Sequence, residues 1–184
     1  AKVRLVFSYP SPAKEGWPYI NYDYKARKKQ ILTGLTKALP GIDFMPADVP
    51  TAAAAQKLLA EEKEADGYVV YILGIPSSAA RPVVDSGRPT VLIDDLYGGT
   101  GNFLGTYAYA RRNGLKVAGV SSTRFEDAVQ TIKAFEVIKR LKSSVILHVG
   151  ERNRQAEIKA SGEVFGTKVV NIGAAEINEC YKNA

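Results

Sequence analysis

Short apolar runs rich in β-branched residues alternate along this chain with longer stretches in which apolar positions recur every three or four residues. The first pattern predicts strands over 3–9, 42–45, 67–73, 90–94, 115–120, 145–149 and 168–172. The second predicts helices over 24–39, 52–64, 78–85, 103–113, 125–142, 152–165 and 175–182. Runs such as YVVYIL and TVLID are apolar on both faces, as buried strands of a parallel sheet must be. Strict strand–helix alternation requires parallel pairing with right-handed crossovers. The expected fold is therefore α/β, a doubly wound, mostly parallel sheet of the flavodoxin-like, Rossmann-type three-layer kind. The first five strand–helix pairs fill residues 1–143. Residues 144–184 supply two further pairs, either the start of a second α/β domain or an extension of the same sheet.

Local signals support these limits. Thr51 is an N-cap before four alanines. Thr123 and Glu126 have capping-box spacing at the head of a helix whose stripe is Ala128, Val129, Ile132, Phe135, Ile138 and Leu141. Gly114 and Gly166 stand where C′ glycines end helices. That continuous helix over 125–142 would suit a bridge between two lobes.

The connection after the first strand departs from the pattern. Strand-to-helix links usually take a few residues, whereas this one runs about fifteen. It reads YPSPAKEGWPYINYDY and carries Tyr9, Trp17, Tyr19, Tyr22 and Tyr24. Open α/β sheets hold ligands at the carboxyl ends of their strands, so the rings form either a stacking platform for sugars or bases or a lid packed on itself. A second loop at that edge reads DDLYGGTGN. Its Gly98, Gly99 and Gly101 free the backbone to approach a phosphate or carboxylate before the next helix. It is neither a Walker loop nor a GxGxxG turn after the first strand. One of Asp94 and Asp95 should face the crevice, because successive strand side chains alternate sides.

The net charge of +6 raises the question of nucleic acid. Its densest groups are Lys25, Arg27, Lys28 and Lys29, then Lys139, Arg140 and Lys142, then Arg152 and Arg154. All fall on or beside helices, where a solvated outer face accounts for them, and no nucleic-acid motif accompanies them. No apolar run reaches the roughly 20 residues of a membrane span. Neither nucleic acid nor membrane is an expected partner. The chain opens directly on a strand, which suits the cytoplasm or an exported protein whose leader has been removed. His148 and Cys180, each the sole residue of its type, read as structural, Cys180 as packing. Ser11, Ser77, Ser78 and Ser121 lack a G-x-S-x-G elbow, and one histidine leaves little for a hydrolytic triad.

The segments IKRLKSSVILHVGERN and VFGTKVVNIGAAEI, with the order of elements before them, resemble the N-terminal half of L-fucose isomerase-like proteins. The resemblance rests on Lys139-Arg140-Leu141, the strand and glycine at 145–150, Phe165-Gly166 and the valine-rich strand at 168–172. It implies an aldose–ketose isomerase that moves a proton between C1 and C2 with a divalent metal, commonly Mn²⁺. The metal ligands of that family lie in later domains, so no catalytic residue and no metal site is expected in this chain. The implied role is a substrate-covering, oligomerising part, with a small-molecule sugar and a trimer or hexamer as partners. Sugar contacts would come from the two loops: Tyr9, Ser11, Trp17, Asp95, Tyr97, Thr100 and Asn102. Two other functions fit the same architecture. One is a non-enzymatic sugar-binding or sensing module resembling periplasmic sugar-binding proteins; the other, a flavodoxin-like carrier of a phosphorylated cofactor at GGTGN.

Overall fold

A computed structural model describes residues 1–10, 16–96, 98–150 and 154–183. Five parallel strands form one sheet: β1 (Lys2–Ser8), β2 (Asp43–Asp48), β3 (Gly67–Ile72), β4 (Thr90–Asp94) and β5 (Val117–Val120). Their spatial order is β2-β1-β3-β4-β5, the flavodoxin-like doubly wound order. The order explains the composition. β3 and β4 have neighbours on both sides and are buried at every position, while β2 lies at the edge, is half exposed and accommodates Pro46.

Helices α1 (Tyr24–Ala38), α2 (Ala52–Glu61), α3 (Ala80–Asp85), α4 (Thr100–Arg112) and α5 (Phe125–Ile132) follow the strands in turn. Alternation along the strands sorts the core into two layers. Val6, Tyr68, Val70, Ile72 and Leu92 pack with Ala55 of α2, Ala80 and Val83 of α3, and Phe103 of α4. On the opposite face the Phe125 ring of α5 closes on Gly34 of α1, leaving no space there for a Cβ. Phe135, 2% exposed, presses on Gly67 at the start of β3 in the same way.

The chain divides into two compact units, Ala1–Phe135 and Glu136–Ala184. The second contains most of α6 (Ala134–Ser143), then β6 (Val145–Val149), α7 (Gln155–Phe165), β7 (Lys168–Ile172) and α8 (Ala174–Lys182). β6 and β7 pair with each other in a separate parallel sheet, with His148 opposite Asn171. Thr167 is buried and donates to the Leu141 carbonyl (2.9 Å). Val145, Ile146, Leu147 and Val149 of β6 are each more than half exposed.

Several boundaries differ from the sequence reading. The helix expected over 125–142 is interrupted at Lys133, giving α5 and α6. Its capping box is replaced: α5 has no side-chain cap, and Ser122 Oγ accepts from Arg124 N (3.1 Å) while donating to Asp127 (2.6 Å). The Ser122 hydroxyl makes a local turn ahead of the helix, and Arg124 rather than Thr123 stands at the N-cap position. α4 begins at Thr100 rather than 103, so Gly101 and Asn102 belong to its first turn instead of the loop. Cys180 is exposed on α8, a helix that buries no residue, and so does not serve packing. Thr51 does cap α2, accepting from Ala54 N, and Gly166 ends α7 in the left-handed region (φ 70°). No helix among the described residues is long and apolar enough to cross a membrane.

Candidate functional site

In a 2-1-3-4-5 sheet the ligand crevice opens where chain direction reverses, between the loops after β1 and β3. Here main-chain bonds bridge those two loops: Trp17 N–H donates to the Ile75 carbonyl (2.7 Å) and Ile75 N–H donates to Trp17 (3.2 Å). The bridge closes the β1/β3 gap and moves the open cleft one strand along, between the loops after β3 and β4. Two open hollows flank Trp17 and Ile75 there: Leu96, Thr100 and Gly101 line one with them, and Pro76, Ser77 and Asn102 the other. Although its backbone is held at both N–H and C=O, the Trp17 side chain is 55% exposed.

The remaining rings of the first loop pack against one another. Tyr9 stacks on Tyr24 at 4.5 Å, Tyr22 meets Tyr24 edge-on at 4.9 Å, and Tyr19 meets Tyr22 at 5.3 Å. Tyr9 also accepts from Lys28 Nζ (3.0 Å), which in turn pairs with Asp48 at the end of β2. Burial pushes the Tyr24 and Tyr22 hydroxyls above their ordinary pKa; the nearby Asp95 carboxylate adds to the rise at Tyr22. The rings of Tyr9, Tyr22 and Tyr24 are thus packed on one another, while Trp17 and Tyr19 are presented at the surface.

Asp94 and Asp95 are both buried and lie in different networks. Asp94 accepts from Thr100 Oγ1 (3.0 and 3.1 Å) and Ser121 Oγ (2.9 Å), tying the β4 end to α4 and the loop after β5. Asp95 accepts from Arg27 of α1 through Nε (3.1 and 3.2 Å) and Nη2 (2.5 Å). That charge-assisted fork raises the Arg27 pKa above its ordinary value, against the opposing effect of burial. The structure therefore groups Trp17, Thr100, Gly101 and Asn102, and leaves Tyr9 and Asp95 outside that group. Ser11 and Tyr97 lie outside the described residues.

The glycines of GGTGN have separate explanations. A Cβ on Gly98 would overlap the Leu73 carbonyl, and one on Gly99 the Ile72 carbonyl, because the loop folds directly over the end of β3. Both N–H groups already donate to the Asp95 carbonyl (2.9 and 3.1 Å). Gly101 has open space where a Cβ would stand. Asn102 clips α4 to the loop after β3, donating to the Ser77 carbonyl (2.7 Å) and accepting from Thr106 (3.0 Å).

Sequence reasoning placed Arg27 and Lys28 on a solvated face; both are half-buried and paired. The signal was present, since Lys28 falls on the stripe of Tyr24, Ile31 and Leu35, which are the buried residues of α1. Tyr71, 3% exposed, was also missed, because a tyrosine inside an apolar strand reads simply as core. His148 Nδ1 lies 3.1 Å from Asn171 Oδ1, a cross-strand pairing. Among the described residues no three His, Cys, Asp or Glu side chains gather as a metal-holding group. Comparison with models of known families and with curated proteins finds no match to this chain.

Proposed function

We propose that the unit Ala1–Phe135 binds a sugar in the cleft beside Trp17, as the substrate-covering and oligomerising part of an aldose–ketose isomerase-like protein. The observation that carries this reading is an exposed indole whose backbone is fixed at the ligand edge of a doubly wound sheet. Such a ring offers rigid apolar area to the C–H face of a sugar at little entropic cost. Thr100 can accept from a sugar hydroxyl, since its own proton is directed at Asp94. Both carboxylates at the β4 end are engaged within the chain, which favours covering and orienting a sugar over proton transfer. Mn²⁺ would then be held by residues outside this set.

Covering roughly 100 Å² of the indole contributes about 2.5 kcal/mol at the usual area coefficient. The test is titration of the ¹⁵N-labelled chain with L-fucose and L-arabinose, followed by amide shifts. Shifts should cluster at Trp17, Ile75 and 100–102, and Trp17→Ala should weaken binding about tenfold or more. No shift at tens of millimolar sugar, or shifts that persist unchanged in Trp17→Ala, would overturn the proposal.

A further inference from the structure

On the face opposite α2–α4, a cavity of about 530 Å³ lies between α1 and α5 at the carboxyl ends of β4 and β5. That volume falls within the usual range of small-molecule sites. Ile31, Ile93, Val120 and Phe125 supply apolar walls. Phe125 leaves 38% of its surface to solvent, although its ring closes on Gly34. The charges around the cavity are matched within the chain. Arg27 forks onto Asp95, and Arg124 pairs with Asp127 through Nε (3.2 Å) and Nη2 (2.6 Å). Asp94 accepts from the Thr100 and Ser121 hydroxyls and lies at the N-terminal end of α4, where the helix dipole favours a carboxylate. A charged ligand of either sign would therefore lose hydration without meeting an unused countercharge.

The group left open is a neutral one. Tyr71 lines the cavity, is 3% exposed, and its buried hydroxyl has no hydrogen-bond partner among the described residues. Burial first, and then the Asp95 carboxylate, push the Tyr71 pKa above its ordinary value against the effect of Arg27, so the hydroxyl keeps its proton and stands as a donor. A buried donor without a partner is costly unless a ligand or water completes it. We propose that this cavity binds a small neutral molecule: a ring-sized apolar body carrying one oxygen that accepts from the Tyr71 hydroxyl. The body fills the space between Ile31, Val120 and Phe125, and the single polar contact lies at the cavity floor. Trp17 takes no part, so this site stands or falls separately from the sugar cleft.

The experiment titrates the full ¹⁵N-labelled chain at neutral pH with benzyl alcohol and, in parallel, with benzylammonium and benzoate, which carry the same ring with a charge of either sign. Benzyl alcohol should give saturable shifts at Tyr71, Ile93, Val120 and 122–125 while the Trp17 resonances stay fixed. Both ions should bind at least about fivefold more weakly, because each must be desolvated beside charges that are already paired. Tyr71→Phe should weaken benzyl alcohol binding about fivefold, the scale of one lost hydrogen bond. That variant removes an unpaired buried hydroxyl, so the unliganded chain should melt no lower than the parent, which separates lost binding from lost folding. The proposal is overturned by an absence of shifts at tens of millimolar benzyl alcohol or by equal or tighter binding of either ion. Unchanged affinity in Tyr71→Phe would also overturn it, since water alone would then complete the hydroxyl.

Discussion

Alanine at Gly99 and at Gly101 should have opposite effects on stability, although the two glycines are separated only by Thr100. A Cβ on Gly99 would overlap the Ile72 carbonyl oxygen and lie 2.8 Å from Ile72 Cβ and Cγ2. Ile72 is fully buried at the end of β3, which is paired to β1 and β4, so it cannot retreat. The loop must move instead, straining the bonds from Gly98 N and Gly99 N to Asp95 and from Asp95 N to Ile72 (3.2 Å). Overpacking of this kind costs about 1–3 kcal/mol. At roughly 2–4 °C per kcal/mol for a chain of this size, about 2 kcal/mol lowers the melting point by about 4–8 °C. Gly101 is in the first turn of α4 with open space around it, so Gly101→Ala should be neutral or stabilise by up to about 1 kcal/mol. Thermal and urea unfolding followed by fluorescence of the single tryptophan, Trp17, reports on the unit that contains both positions. Equal effects of the two substitutions, or no effect of Gly99→Ala, would refute close packing as the reason for glycine there.

Two further predictions concern buried polar groups. Burial raises the Glu62 pKa, but the Arg4 guanidinium (2.6 Å) and the N–H groups of Glu64 and Ala65 more than offset it, leaving the net value below the ordinary one. A depressed folded value means this stabilisation is complete above the unfolded pKa of about 4.3 and is lost as pH falls through the folded value. Glu62→Gln should therefore cost about 2 kcal/mol at neutral pH and progressively less toward and below pH 3, read from urea midpoints; a pH-independent difference would contradict the pairing. Ser8 is fully buried and its hydroxyl has no partner among the described residues. Ser8→Ala should raise stability by about 1 kcal/mol, measured by the same unfolding assay, and a loss would show that the hydroxyl is satisfied in solution.

Much of the fold is legible along the chain because strand and helix periodicity are local properties. The limits of β4, β6 and β7 can be read without error, since each is a five-residue run rich in Val and Ile set between proline, glycine or polar positions. Parallel pairing follows from strand–helix alternation, and the burial of β3 at every position follows from its apolar sequence. Less legible are the places where short-range signals compete. The Ser122 hydroxyl makes the turn ahead of α5 in place of a Thr123 cap, and α4 reaches back to Thr100 through Gly101 and Asn102, which propensity alone would leave in a loop.

The composition of the cleft is a different kind of information, fixed only when distant segments meet. Alternation required Asp94 and Asp95 to diverge, yet nothing local says that Arg27, 68 residues from Asp95, would hold it. Nor does the sequence near Trp17 reveal its bridge to Ile75, which closes one crevice and presents the indole to the next. Sequence determines which residues are apolar and at what period, because a strand or helix needs only its neighbours to form. Sheet order determines which carboxylate is neutralised, which glycine touches backbone and which ring remains exposed. Those outcomes depend on contacts between segments that only the packed sheet brings together.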